Sequence, residues 1–147
     1  MQTWLFLIIA AASGILMALQ GSLNSALSKV IGVLEGSLVV HLLGLLTVAV
    51  LLYLCGLGRG DLGRLGEAPW YLYLGGVLNA AIVYGVMLAI GKTGAGIATT
   101  AIITGQLAAS LLVDQFGLIG LARQSFTWGR GAGLACMAVA AWLLLGR

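Results

Sequence analysis

Five apolar runs alternate with short polar interruptions along 147 residues, and each run is long enough to cross a bilayer as a helix. The first opens near Thr3, stays apolar to Leu19, and continues through Gln20 and Asn24 with helix-compatible residues toward Lys29, which predicts a helix over 3–28. A connection carrying Lys29 and Glu35 leads to a second helix over 37–57. Residues 58–68 hold Arg59, Asp61, Arg64 and Glu67 among four glycines and read as a solvated loop. Pro69 then sits where a first-turn proline loses no hydrogen bond, and a third helix is expected over 70–90. Gly91, Lys92, Thr93 and Gly94 make a tight connection to a fourth helix over 96–115. A second polar loop runs from Asp114 to Thr127, and a fifth helix covers 128–145.

Composition agrees with that pattern. Hydrophobic residues make up 61% of the chain and charged ones 7%, with a mean hydropathy of +1.13, where soluble domains are near a quarter charged. The expectation is an all-α integral membrane protein forming a single transmembrane domain over 1–147, its first partner the lipid bilayer. Met1 to Ala12 lacks the basic start of a cleaved signal peptide, so the first run is expected to stay as a permanent helix. Cys55 and Cys136 lie in different apolar runs, where a small polarizable hydrophobe is the default role and a disulfide is not expected. The net charge of +3 matches a cytoplasm-facing excess of Lys and Arg, and gives no reason to invoke nucleic acid.

An odd number of spans puts the chain ends on opposite sides and places Trp4, Trp70 and Trp128 on one face, as an interfacial aromatic belt requires. The face with the N-terminus then carries Arg59, Arg64, Arg123 and Arg130, and the other carries Lys29, Lys92 and Arg147. Four against three is a weak orienting signal. A chain so balanced can insert both ways round and pair as an antiparallel dimer of ten helices; a single N-inside orientation is the plainer alternative. Five helices do not divide into equal halves, so an inverted two-fold of the transporter kind would arise between subunits.

Ser13, Gln20 and Asn24 fall within an arc of roughly 40° on the first helix, and Thr99, Gln106, Ser110 and Asp114 within roughly 80° on the fourth. Side-chain amides are unfavourable in lipid, so these stripes must face protein or a wet cavity. With Asn79 on the third helix, they nominate Gln20, Asn24, Asn79, Gln106 and Ser110 as a solute-binding lining, against the alternative of amides that only join helices. His41 and Asp114 are the candidates for proton coupling; a lone histidine is also a common packing residue, and Asp114 also fits an interfacial carboxylate closing its helix. Gly129, Gly133, Cys136 and Ala140 form a small-residue face, a candidate dimer seam or a packing surface within the subunit.

Enzyme motifs fail on inspection. Gly91-Lys92-Thr93 resembles the tail of a phosphate loop, but the upstream glycine position holds Val86 and no strand precedes it. There is no metal-ligand spacing, no nucleophilic triad within membrane geometry, and no paired carboxylates, so neither catalysis nor any cofactor or metal is expected.

Gly14, Ala18, Gln20, Asn24 and Leu27, then Gly44, then Gly105-Gln106 through Ser110, Asp114, Phe116 and Gly117, and finally Arg130 and Gly133, resemble the five-helix YdcZ-type family of the drug/metabolite transporter superfamily. The resemblance spans nearly the whole chain, and the Gly-Gln, Ser, Asp, Phe-Gly pattern is its most specific part. It implies a bacterial inner-membrane exporter acting as an antiparallel homodimer or beside an oppositely inserted homologue. His41 stands where that family leads one to expect an aromatic residue. The four-helix multidrug exporters of the same superfamily use a glutamate in their first helix, and no acid lies between Met1 and Lys29 here, so that cation-for-proton exchange is not carried over. The expected function is alternating-access transport of a small polar or amphipathic solute, neutral or zwitterionic because the lining holds amides and no counter-charge. The rivals are a passive channel with an amide-lined pore and an accessory subunit without a pathway.

Overall fold

The computed structural model describes residues 2–118 and 122–145; Arg147, counted above among the cations of one face, lies outside them. All regular structure among the described residues is helical. The chain divides into two compact units, Met1–Lys92 and Thr93–Arg147.

In the first unit α1 runs over Gln2–Ile31 and α2 over Val33–Ala49. The connection expected between them is a single residue, Gly32, because Lys29 and Glu35 are helix-compatible and charge alone does not stop a helix at an interface. Gly32 stops it by conformation, with φ 100° and ψ 157°, a region open to glycine. It remains hydrogen-bonded on both sides: its N–H donates to Ser28 O at 3.0 Å, and its carbonyl accepts from Gly36 N–H at 3.0 Å. Gly94, between α3 over Leu74–Thr93 and α4 over Ala95–Phe116, has the same conformation at φ 85° and ψ 160°. Replacing either glycine by alanine is expected to cost about 1–3 kcal/mol of backbone strain. A methyl at Gly32 would also land on Glu35 Oε2, whereas one at Gly94 meets nothing within 4 Å. Thermal unfolding in detergent should therefore rank Gly32→Ala below Gly94→Ala, and Glu35→Ala should close the gap; equal stability of both variants with wild type would overturn the assignment.

The α2 span continues as a π-helical turn over Val50–Leu54, closed by Cys55 N–H to Val50 O at 3.0 Å. The charged segment that follows contains a 3-10 helix over Leu62–Glu67, and another over Trp70–Tyr73 leads from Pro69 into α3. Among the described residues, four spans are long and apolar enough to cross a membrane: Thr3–Ile31, Val33–Leu54, Trp70–Thr93 and Ala95–Phe116, with mean hydropathies of 1.9, 2.4, 1.9 and 1.6. The fifth helix, α5 over Trp128–Leu145, is apolar but shorter.

The apolar side chains face outward: Leu5, Ile8, Leu46 and Val77 are 57%, 65%, 61% and 67% exposed, which suits lipid as their solvent. The buried residues of the first unit are instead small or polar. Gly21, Asn24 and Ser25 of α1, Gly36 and Ser37 of α2, and Val83 and Met87 of α3 are all buried. Lipid tails are as apolar as leucine, so helices gain little by hiding leucine from them; close backbone approach is what glycine and serine supply. A Cβ added to Gly36 would stand 3.6 Å from both Met87 Cε and Ser28 Cα. Several hydroxyls are satisfied within their own helices: Ser13, Ser22 and Thr47 donate to carbonyls four residues back at 2.8–2.9 Å.

In the second unit α4 packs on α5. Gly117 ends α4 in the left-handed conformation, φ 60° and ψ 40°, its N–H returning to Val113 O. Residues 123–126 fold back on that end. Gln124 N–H donates to Asp114 O at 2.8 Å, Arg123 Nε to Gln115 O at 2.9 Å, and Phe126 N–H to Gln115 Oε1 at 2.7 Å.

Candidate functional site

Three polar side chains from three helices meet in the first unit. Gln20 of α1, His41 of α2 and Asn79 of α3 line a cavity of about 370 Å³, otherwise walled by Val40, Gly44, Leu45, Val48 and Val83. Gly44 supplies no side chain one turn beyond His41, which leaves room beside the imidazole.

Hydrogen bonding assigns the tautomer of His41. Its Nδ1 lies 2.7 Å from the Ser37 carbonyl oxygen, which only accepts, so Nδ1 carries the proton and donates. Nε2 then holds a lone pair and accepts from the Asn79 side-chain amide at 3.0 Å. With the amide in this orientation the ring bridges α2 and α3, and Ser37 Oγ is a further 3.5 Å neighbour of Nδ1. Protonation would turn Nε2 into a donor facing another donor. Rotation of the Asn79 amide by half a turn, which presents Oδ1 instead, restores the bond.

His41 also lines a second space. A groove of about 450 Å³ is bordered by Leu34, Glu35, Ser37, Leu38, His41 and Ala80. The imidazole therefore stands where the cavity and the groove share a wall, and the groove reaches Glu35 in the first turn of α2. Sequence reading passed over Glu35 as part of a connection. The signal that could have found it is that Leu34, Ser37, Leu38 and His41 follow helical spacing, which lays one continuous surface from the start of α2 to the histidine.

The α1 stripe divides in its roles. Gln20 is exposed and lines the cavity, but it also borders a groove of about 490 Å³ along α1 with Ser13, Leu16, Met17, Leu19, Leu23 and Asn24. Asn24 is 9% exposed, and its side chain makes no hydrogen bond to another described residue. No enclosed side-chain nitrogen or oxygen among the described residues lacks a partner, so the Asn24 amide reaches the open groove that the residue lines.

The fourth-helix residues belong to the second unit. Gln106 and Ser110 are exposed there, and Ser110 Oγ donates to Leu107 O at 2.9 Å. Asp114 is half-buried and forms an ion pair with Arg130 of α5, Oδ2 to Nη1 at 3.6 Å; Arg130 also donates to Gln124 Oε1. That pairing ties the start of α5 to the end of α4. Gly129, Gly133, Cys136 and Ala140 are all exposed on α5. Cys55 and Cys136 are free, exposed thiols. Among the described residues no group of three His, Cys, Asp or Glu is placed to hold a metal ion.

Over residues 5–143 the chain matches the family model described as "Putative inner membrane exporter, YdcZ". No curated protein and no solved structure matches it. The family match takes in Gln20, His41 and Asn79 together with the helix-4 pattern from Gly105 to Gly117, and its description is of transport across the inner membrane rather than of catalysis. With nearly all of its length covered, and with apolar helices of spanning length, the chain belongs to the YdcZ family of inner-membrane transport proteins.

Proposed function

We propose that the protein is a proton-coupled secondary carrier that exports a small neutral or zwitterionic amphipathic solute by alternating access. The observation that carries this reading is the position of His41, a single titratable group bonded to Asn79 on the solute cavity and bordering the groove that begins at Glu35. An apolar cavity holding two amides and one imidazole suits a solute with an apolar body and a few hydrogen-bonding groups, because a net charge would find no partner there. In this mechanism Glu35 passes protons between the aqueous edge and His41. The protonated imidazole turns the Asn79 amide, and that turn removes the donor to which a solute acceptor was bound. Proton and solute then compete for one site, as exchange requires. Gln106 and Ser110 are proposed as solute contacts of the second unit, and Asp114, paired with Arg130, as a second candidate for coupling.

The working assembly is proposed to be five spans per chain and two chains in opposite orientations. Support comes from α5, whose 18 residues extend about 27 Å at 1.5 Å each, close to the hydrocarbon thickness of about 30 Å. The four-to-three division of basic residues leaves orientation weakly set. The exposed face of Gly129, Gly133, Cys136 and Ala140 is a surface on which a second copy can approach closely.

The test begins with a panel of neutral and zwitterionic amphipathic compounds, screened by thermal shift on the purified protein. A compound that binds is then followed in proteoliposomes. Wild type should concentrate it down a pH gradient with saturable counterflow, whereas His41→Gln should keep counterflow and lose pH-driven accumulation by at least about tenfold. Undiminished pH-driven accumulation by His41→Gln would end the proton arm of the proposal, and large unitary currents without counterflow would make the protein a channel.

A further inference from the structure

Residues 55–69 join two helices of membrane-spanning length, so they lie at the level of the lipid headgroups. There Arg59, Gly60, Asp61, Arg64, Glu67 and Ala68 line an open cleft of about 560 Å³. Contacts within the segment hold its shape. Asp61 Oδ1 accepts from Gly63 N–H at 2.8 Å, Arg64 donates from Nε and Nη2 to Glu67 Oε2 at 2.9 and 2.7 Å, and the Tyr73 hydroxyl donates back to the Leu65 carbonyl. The Glu67 carboxylate raises the Arg64 pKa above its ordinary value, so that cation is already committed.

Two cations and two carboxylates leave the cleft neutral in sum, but the internal contacts do not exhaust it. They occupy one oxygen of Asp61 and one of Glu67, and Arg59 has no partner among the described residues. Leu62 and Leu65 within the segment, and Trp70 just after it, are 62%, 59% and 73% exposed. Such side chains are unfavourable in water and serve as anchors at a bilayer surface.

We infer that this cleft holds the phosphoethanolamine headgroup of a membrane phospholipid. The phosphate diester lies on the Arg59 guanidinium, the primary ammonium donates to the unengaged oxygens of Asp61 and Glu67, and the acyl chains descend past Leu62, Leu65 and Trp70. Charge complementarity selects this occupant. A phosphoglycerol headgroup brings the anion without the ammonium and leaves the second oxygens of Asp61 and Glu67 without a cationic donor. A phosphocholine headgroup brings the right charges, but its methylated nitrogen donates no hydrogen bond. A soluble phosphoethanolamine ester lacks the chains that the three exposed apolar residues would meet.

Native mass spectrometry of the full chain, released from micelles doped equally with phosphatidylethanolamine, phosphatidylcholine and phosphatidylglycerol of matched chains, tests the assignment. About tenfold preferential retention of phosphatidylethanolamine is expected, in line with charge-assisted bonding at both ends of the headgroup. Arg59→Gln should abolish the preference, as should Asp61→Asn, which keeps the acceptor for Gly63; neither should shift the unfolding temperature. Excess glycerophosphoethanolamine should fail to displace the lipid. Equal retention of the three lipids, preference for the phosphoglycerol lipid, an undiminished preference in Arg59→Gln, or displacement by the soluble ester would each overturn the inference.

Discussion

Gly21→Leu is expected to leave the first unit unable to pack, with the solubilised protein unfolding at a markedly lower temperature or running as aggregate on size exclusion. At Gly21 an added Cβ would stand 2.8 Å from Ile90 Cδ1 and 3.1 Å from Val86 Cγ1, both on α3. Alanine is tolerable: the Ile90 tip can rotate away, and exchanging glycine for alanine inside a helix returns about 0.5–1 kcal/mol. Leucine adds three further carbons in the same space, and they can be housed only if α1 and α3 separate. Overpacking of that kind costs about 1–3 kcal/mol in a core that can adjust. Here separation would also uncover Met87, which is 1% exposed, in a protein whose helices are held by contact rather than by exclusion from water. Gly21→Ala should therefore stay near wild type while Gly21→Leu loses at least about 2 kcal/mol. Wild-type stability of Gly21→Leu would show that α1 and α3 are not in contact at this point.

Epitope tags on the two termini, read by accessibility in intact cells, are expected to find each end on both faces of the membrane in comparable amounts. With the five spans proposed above, the Lys and Arg division is four to three, where a strongly oriented protein concentrates basic residues on its cytoplasmic side. One added arginine should then be decisive. Placing it in the 58–68 segment should drive nearly all copies one way; positions 32 and 94 are avoided because the glycine conformation there strains any side chain. Function should collapse in the single-orientation variant and return when an oppositely biased copy is co-expressed. A uniform orientation of the wild type would remove the antiparallel homodimer and point to an oppositely inserted partner protein.

The membrane class and the approximate course of the helices were legible because apolar length and composition leave few alternatives for such a chain. Helix boundaries were less so. The expected connection around Lys29 and Glu35 shrinks to Gly32, since the stop is set by one backbone conformation rather than by charge, and the same holds at Gly94. The second span ends in a π turn, Val50–Leu54, for which no local residue pattern gives warning. Gln20 and Asn79, two of the residues expected to line one cavity, border the same space, and they do so with His41, which the sequence offers both as a coupling candidate and as a lone packing residue. Its place in the proposed mechanism rests on Asn79, 38 positions away, and such a meeting depends on how α2 and α3 pack. The arc that put Gln20 and Asn24 together on α1 was too coarse to separate them. One is exposed and the other buried, because only the turns near Gly21 and Ser25 lie against α3.

The hydroxyls that bond back to their own helices carry a consequence for sequence drift. Ser13, Ser22, Thr47, Thr100 and Thr104 each donate to the carbonyl four residues earlier, so toward their neighbours they present little more than a methyl group. Such positions can interchange with alanine, cysteine or valine over generations without disturbing how the helices pack. Under the mechanism proposed above, what the chain must keep is a much smaller vocabulary: a few amides, one imidazole and the glycines against which they are set.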